Sequence, residues 1–155
     1  MKINVLFVCY GNICRSPMAE LVFKDLVRKK GLADKFYIDS AATSSEAVGE
    51  GIYYGTVEVL KENKVPIEKH ISRQITKQDY EKFDYILAME EKNINGIKAI
   101  TGKDEQNKIY KLLDFSCKPR DIIDPWYYGN FDNTYWDVVE GCEDFLKMLL
   151  NKHIL

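Results

Sequence analysis

The sequence predicts an α/β fold: a single domain, residues 1–155, with a four-stranded parallel sheet that carries helices on both faces. Short apolar runs alternate along the chain with segments of helical periodicity, which is the pattern of successive strand–helix units. With 155 residues, 46% of them apolar, the chain is long enough to build one core of ordinary size. No repeat, low-complexity tract or linker divides it, so one domain is the simplest interpretation.

Four strands and five helices account for these patterns. We expect the strands near Lys2–Val8, Phe36–Ala41, Asp84–Met89 and Lys108–Leu112. We expect the helices at Pro17–Lys30, Gly55–Asn63, Lys77–Lys82, Glu91–Thr101 and Asn133–Asn151. Open parallel sheets bind ligands at the carboxyl ends of their strands, so the segment after the first strand is where a site is expected.

The first helix shows the clearest amphipathic pattern. Its apolar face is predicted to carry Met18, Leu21, Val22 and Leu26. Its solvent face is predicted to carry Glu20, Lys24, Arg28 and Lys29. Gly31 is the expected stop, because glycine readily adopts the conformation that ends a helix.

The segment from Cys9 to Ser16 joins the first strand to this helix and carries the most chemical information. It reads Cys-Tyr-Gly-Asn-Ile-Cys-Arg-Ser, so Cys9 and Arg15 bracket five residues. A turn of this kind directs backbone N–H groups toward one point, where the helix dipole adds positive potential. A bound anion would lie against the Cys9 sulfur and within reach of Arg15, which predicts a phosphate-binding loop suited to phosphoryl transfer to a thiolate.

Other residues of the segment fit such a loop. Gly11 permits positive φ and close backbone approach, and Asn12 tolerates left-handed φ while hydrogen-bonding the loop to itself. Ser16 is expected either to cap the helix or to donate a hydrogen bond to the Cys9 sulfur, and the two roles can coexist; Pro17 is expected in the first turn. A nucleotide-binding Walker loop is a poor match, since no Gly-Lys-Ser/Thr closes the segment.

Composition narrows the class of protein further. The net charge is −2, which disfavours nucleic acid as a partner. The N-terminal apolar run is too short for a signal sequence or a membrane span, so no membrane association is expected. Four cysteines without a secretion signal indicate a reducing cytoplasm. Only two histidines occur and no Cys/His cluster has metal-ligand spacing, so we expect no metal and no cofactor.

These motifs resemble the low-molecular-weight protein tyrosine phosphatases over essentially the full length of the chain. The family's loop, Cys-x-Gly-Asn-x-Cys-Arg-Ser-Pro, is matched at Cys9, Gly11, Asn12, Cys14, Arg15, Ser16 and Pro17. Later matches are Asp39-Ser40-Ala41-Ala42, Arg73-Gln74-Ile75 and Asp124-Pro125-Trp126-Tyr127, followed by Gly129-Asn130-Phe131. Two separated motifs in one small domain are much more specific than either motif alone.

The resemblance implies a mechanism and a substrate class. Cys9 would be the nucleophile that forms a phosphocysteine, Arg15 the phosphate clamp and Asp124 the general acid; Asp121 is the nearby alternative, disfavoured because no proline follows it. Substrate-binding residues would be Tyr10, Gly11, Asn12, Ile13, Cys14, Ser16, Glu46, Trp126 and Tyr127. The expected partners are phosphotyrosine-containing proteins, with inorganic phosphate as product and inhibitor, and the expected state is a monomer.

Several roles are less direct. Asn12, Ser16 and His70 are expected to support the loop, His70 through hydrogen bonds to the loop Asn and Ser. Glu46 stands where relatives often have an aromatic residue, and a carboxylate there would favour substrates with basic flanks. Glu90 replaces the aspartate of many relatives, which leaves its supporting role open.

Cys14 is either a resolving cysteine for oxidised Cys9 or a buried wall residue.

Two other functions are alternatives to a phosphatase. An arsenate reductase of the same fold needs further cysteines after the third strand, and residues 83–101 contain none. A non-catalytic phosphotyrosine-binding module would not require Cys9, Arg15 and Asp124 together.

Overall fold

The computed structural model describes residues 1–155 and contains one four-stranded parallel sheet of order β2-β1-β3-β4. The strands are β1 (Ile3–Cys9), β2 (Phe36–Ala42), β3 (Tyr85–Ala88) and β4 (Ile109–Lys111). The helices are α1 (Arg15–Lys29), α2 (Tyr54–Glu62), α3 (Lys77–Lys82), α4 (Glu91–Thr101), α5 (Pro125–Tyr128) and α6 (Phe131–Asn151). Two short 3-10 helices, Ala33–Lys35 and Leu112–Phe115, lie before β2 and after β4.

Both faces of the sheet are covered, because successive side chains of a strand point to opposite sides. Val5 and Phe7 of β1 belong to the larger core, which is formed with α1, α2 and α6. Leu6 and Val8 belong to a smaller core beneath α3 and α4. The predicted single-domain α/β fold, with a four-stranded parallel sheet and helices on both faces, is therefore confirmed. None of the helices has the length and apolar content needed to cross a lipid bilayer.

The element boundaries differ from the predicted ones mostly by one or two residues, and α1 shows the informative differences. The helix begins at Arg15 rather than Pro17, so Ser16 lies inside its first turn and the prediction that Ser16 caps the helix is wrong. The residue before the helix is Cys14, whose side chain makes no capping hydrogen bond. The predicted stop is confirmed, since Gly31 follows the helix with a φ of 72°.

Asn12, which tolerates left-handed φ, takes that conformation with a φ of 58°, and Gly11 does not have positive φ. One other expectation for this region is wrong. Glu20 was placed on the solvent face of α1, but it is only 4% exposed. Its carboxylate points inward because Ser40 and His70 lie beneath the helix and interact with it.

Helix α5 was not predicted, because four residues are too few to show a helical period. It begins with Pro125 at its first position, and the Asp124 carboxylate caps it by accepting a hydrogen bond from the Trp126 N–H at 3.0 Å. This short helix turns the chain so that α6 starts at Phe131.

Candidate active site

The loop between β1 and α1 is held by its carbonyl groups. Five of them accept hydrogen bonds from outside the loop: Cys9 O from Thr43 N (3.0 Å), Tyr10 O from Ser44 N (3.0 Å), Gly11 O from Ser72 Oγ (2.8 Å), Ile13 O from Tyr53 N (2.9 Å) and Cys14 O from Thr56 Oγ1 (3.1 Å). The carbonyl and N–H of a trans peptide point in opposite directions, so these bonds turn the following N–H groups toward the inside of the loop. The N–H groups of Gly11, Ile13, Cys14 and Arg15 have no acceptor on the protein and are available to an anion.

The Cys9 sulfur lies at the base of this loop and is 3% exposed. It accepts a hydrogen bond from the Asn12 N–H at 3.2 Å, and Ser16 Oγ lies 3.1 Å away. Ser16 Oγ accepts from Asn12 Nδ2 at 2.7 Å, which leaves its own hydroxyl hydrogen free to be donated to the sulfur. Two hydrogen-bond donors therefore lie against the sulfur.

A buried polar network fixes Asn12 from behind. Its Nδ2 also donates to Ser40 Oγ at 3.0 Å, and His70 Nε2 donates to its Oδ1 at 2.8 Å. Ser40 Oγ in turn donates to Glu20 Oε1 at 2.6 Å, and His70 Nδ1 lies 3.4 Å from the same oxygen. Glu20 faces inward because this network offers its carboxylate a hydroxyl donor and an imidazole.

Arg15 is 1% exposed although it carries a charge. Its Nη1 lies 2.7 Å from Glu90 Oε2 and donates to Ile122 O at 2.8 Å, while its Nη2 lies 3.4 Å from Asp124 Oδ2. Two carboxylates and a carbonyl therefore hold the guanidinium, which a buried cation requires. The sequence left the supporting role of Glu90 open, and the structure shows that its carboxylate forms an ion pair with Arg15.

The cleft above the loop has a volume of about 220 Å³. Its lining includes Cys9, Tyr10, Gly11, Ile13, Cys14, Arg15, Glu46, Asp124, Trp126 and Tyr127. The structure thus brings together ten of the predicted site residues. Asn12 and Ser16, also predicted to bind substrate, are both fully buried behind the loop and do not line the cleft. His70 lies with them, bonded to Asn12 rather than to Ser16.

The lining of the cleft combines exposed aromatic rings with carboxylates. Trp126 and Tyr127 are 54% and 74% exposed, so neither belongs to the core. The Tyr53 ring packs edge-on against Trp126, with ring centroids 4.9 Å apart. Glu46 and Glu50 also line the cleft, and neither makes an ion pair with a protein cation. The nearby Glu46 carboxylate raises the pKa of the Tyr10 phenol.

The Cys14 thiol differs from Cys9 in its surroundings. It is buried, and burial together with the nearby Cys9 raises its pKa to about 12. Because the raised pKa lies well above neutral, Cys14 is protonated at pH 7. It is therefore not a competing nucleophile at physiological pH.

One group of side chains has donor atoms close enough for a metal ion, namely Glu20, Asp39 and His70. These atoms already have partners, since Glu20 accepts from Ser40 and Lys24, and Arg73 donates to Asp39 Oδ2 at 3.0 and 3.2 Å. Their hydrogen bonds give the cluster a structural role in the network beneath the loop.

Sequence reasoning missed several residues of the site. Ser72, Thr56 and Tyr53 hold loop carbonyls, and Ser40 joins Asn12 to Glu20. Of these four, only Ser40 could have been found from the sequence, because it lies in the Asp39-Ser40-Ala41-Ala42 segment that matches the family. The other three act by contacts between segments far apart in sequence, which no local pattern reveals.

A strand-terminal thiol, a loop with free N–H groups and a buried arginine define a class of α/β proteins that bind phosphate beside a cysteine. Comparison with known proteins identifies the particular family. The family model described as low molecular weight phosphotyrosine protein phosphatase matches residues 4–154. The chain is 41% identical over 146 residues to the low molecular weight protein-tyrosine-phosphatase YfkJ of Bacillus subtilis (strain 168), covering 93% of this chain and 94% of that protein.

A human relative and a solved structure indicate the same family. The low molecular weight phosphotyrosine protein phosphatase of Homo sapiens is 40% identical over 149 residues, covering 93% of this chain and 94% of that protein. The crystal structure of YfkJ matches with a TM-score of 0.94 at 39% identity, covering 98% of this chain and 97% of that chain. This chain belongs to the low molecular weight phosphotyrosine protein phosphatase family.

Two substitutions at Asn12 separate the backbone from the side-chain contribution. Asn12→Gly removes the hydrogen bonds to Ser16, Ser40 and His70 but tolerates the φ of 58°. Asn12→Ala removes the same bonds and adds left-handed strain of ~1–2 kcal/mol. We expect both variants to be less stable than wild type in urea unfolding, with Asn12→Ala the less stable of the two. Equal stability of the two variants would contradict a strained left-handed position.

Proposed function

We propose that this chain is a protein tyrosine phosphatase that hydrolyses phosphotyrosine and aryl phosphate monoesters through a phosphocysteine intermediate. The observation that carries the proposal is the Cys9 sulfur, held by two donors inside a loop whose other N–H groups are free. Arg15 and Asp124 line the same cleft. Family membership supports the reaction class, and the geometry of these residues supports their roles.

The reaction has two steps. The Cys9 thiolate attacks phosphorus, the bond to the phenolic oxygen breaks, and Asp124 gives its proton to the leaving oxygen. Water then attacks the phosphocysteine and returns a proton to Asp124, which releases inorganic phosphate and the thiolate. In both steps Arg15 and the loop N–H groups stabilise the charge on the phosphoryl oxygens. Released phosphate fits the same loop, so it acts as a product inhibitor.

The cleft also supports a preference for phosphotyrosine. Cys9 lies at its base, with Trp126 and Tyr127 at its mouth. A phenol ring reaches the base while stacking on these rings, whereas phosphoserine is too short. The required thiolate and the four free cysteines favour a reducing cytoplasm as the place of action. Nothing in the proposed chemistry requires a second subunit, a metal or a cofactor.

The deciding experiment measures hydrolysis of an aryl phosphate in EDTA and reductant by wild type and by Cys9→Ser. We expect turnover by wild type and none by Cys9→Ser, because the hydroxyl of serine is a far weaker nucleophile at neutral pH. Paired peptides with phosphotyrosine or phosphoserine then test the preference. Wild type that is folded and inactive, yet binds phosphotyrosine peptides, would favour a binding module instead. Arsenate-dependent oxidation of reductant would favour the reductase.

We propose further that Glu46 biases the enzyme toward substrates with basic flanks, since its carboxylate stands at the mouth without a cationic partner. Replacing it with Gln should reduce the ratio of kcat/KM for basic-flanked over acidic-flanked phosphopeptides by about 1.4- to fivefold, because exposed ion pairs contribute ~0.2–1 kcal/mol. Glu105→Gln, outside the cleft, is the matched control. A ratio unaffected by Glu46→Gln would refute the bias.

Oxidation of Cys9 is proposed to be reversible through Cys14, which lies on the same loop. Peroxide would convert the Cys9 thiolate to a sulfenic acid with release of water or hydroxide, and the Cys14 thiol would condense with it, releasing water and forming a disulfide. The pKa of about 12 makes Cys14 a slow partner. We expect wild type to regain activity in thiol after brief peroxide treatment and Cys14→Ser to regain much less. Full recovery of Cys14→Ser would show that no disulfide protects Cys9.

A further inference from the structure

The segment that carries Asp124 has little backbone support of its own. Residues 117–124 form neither helix nor strand. A single backbone hydrogen bond, from Ile122 N to Met89 O at 2.8 Å, joins these residues to the rest of the chain. Asp124 itself precedes Pro125, which has no N–H to donate. The Asp124 carboxylate caps α5 and lies beside Arg15, and the course of the chain that leads to it depends largely on side-chain contacts of the residues before it.

Arg120 makes the outer contact, between this segment and α6. Its Nη2 lies 2.8 Å from Asp137 Oδ1 and 3.1 Å from Glu140 Oε1, and its Nη1 lies 3.1 Å from Glu140 Oε2. Asp137 and Glu140 are three residues apart, so they share one face of the helix and match the planar guanidinium. The Arg120 Nη1 also donates to Lys118 O at 2.8 Å, which folds the segment back on itself.

The ion pairs shift the pKa values of their members in the directions expected for this contact. The hydrogen bonds that Arg120 donates to Glu140 and then to Asp137 raise its pKa above its usual range. The hydrogen bond from Arg120, followed by that from Ser116, lowers the pKa of Glu140. Ser116 Oγ donates to the same Glu140 carboxylate, so the segment meets α6 at both Ser116 and Arg120.

Asp121 makes the inner contact, between the segment and the edge of the sheet. Its Oδ1 accepts from the Glu91 N–H at 3.1 Å, at the N-terminus of α4, and from Lys111 Nζ at 3.1 Å. A carboxylate is favoured at a helix N-terminus, where N–H groups are free. Asp121, the sequence alternative to Asp124 as general acid, thus has its carboxylate occupied by α4 and β4 and is absent from the cleft lining.

We propose that Arg120 and Asp121 are positioning residues that hold Asp124 within reach of the leaving oxygen. The two side chains fix the segment on opposite sides, to α6 and to α4, only three or four residues before Asp124. Ile122, the residue after Asp121, donates its N–H to Met89 O and accepts a hydrogen bond from Arg15 Nη1, so the segment also contacts the buried arginine. Small displacements are costly in catalysis, since ~1 Å can reduce a rate about 10²-fold.

This proposal rests on Asp124 being the general acid, and leaving-group dependence tests it. Phenyl phosphate needs a proton on its leaving oxygen, whereas 2,4-dinitrophenyl phosphate hardly does. We expect Arg120→Gln to lower kcat/KM for phenyl phosphate about tenfold or more, within the ~10²–10⁴-fold that a general acid contributes, and to change that for the dinitrophenyl ester by less than about threefold. Asp121→Asn should act in the same direction. Arg120→Lys keeps the positive charge but not the planar guanidinium, so it should lower kcat/KM for phenyl phosphate less than Arg120→Gln does.

Two controls keep the outcomes apart. Arg28→Gln removes a half-exposed arginine paired with Asp25 on α1, far from the segment in sequence, and should leave both esters unchanged. In an Asp124→Asn background, Arg120→Gln should have no further effect on the ratio of the two esters, because it acts through Asp124. If Asp124→Asn does not alter that ratio, the general acid is misassigned. If Asp124→Asn alters it while Arg120→Gln lowers both esters equally or neither, the positioning role alone is wrong.

Discussion

The site depends on one side chain, the carboxamide of Asn12. Its backbone adopts a φ of 58°, a conformation that the loop needs to bring the Asn12 N–H onto the Cys9 sulfur. The side chain holds that conformation by donating to Ser16 and Ser40 and by accepting from His70. Each partner is buried or nearly so, and an unpaired polar group there would cost ~1–3 kcal/mol. The loop is therefore built before any ligand arrives.

The buried charge of Arg15 imposes a second constraint. A guanidinium that is 1% exposed requires carboxylates around it, and Glu90 and Asp124 supply them. A bound phosphate dianion would meet the same guanidinium, so the three acidic groups share one cation. Of the two carboxylates that hold Arg15, Asp124 also lines the cleft, whereas Glu90 does not. Arg15 thus joins the wall of the cleft to the buried side of the site.

The sequence predicted what local patterns encode. Strand runs, helical periods and the Cys9–Arg15 spacing gave the sheet, most helices and the residues that line the cleft. The predictions are wrong where contacts between segments far apart in sequence decide the position of a side chain. Glu20 follows the period of a solvent-facing residue, yet Ser40 and His70 draw it inward. The inward position of Glu20 is not visible without knowing which segments meet beneath the loop. Ser16 is a different case, because it has the residue type of a helix cap but its hydroxyl contacts Asn12 and Cys9 within its own loop.

Electrostatics divide the site into an inner and an outer part. The whole chain carries −2, and the mouth presents the unpaired carboxylates of Glu46 and Glu50, so no long-range field attracts a phosphate. Affinity for the phosphoryl group must come from the loop N–H groups and Arg15, which act at contact distance and away from water. Such interactions are weakly screened by salt, whereas those of the exposed rim are screened over about 8–10 Å. Ionic strength should therefore change discrimination between flanking sequences much more than it changes turnover of a small aryl ester.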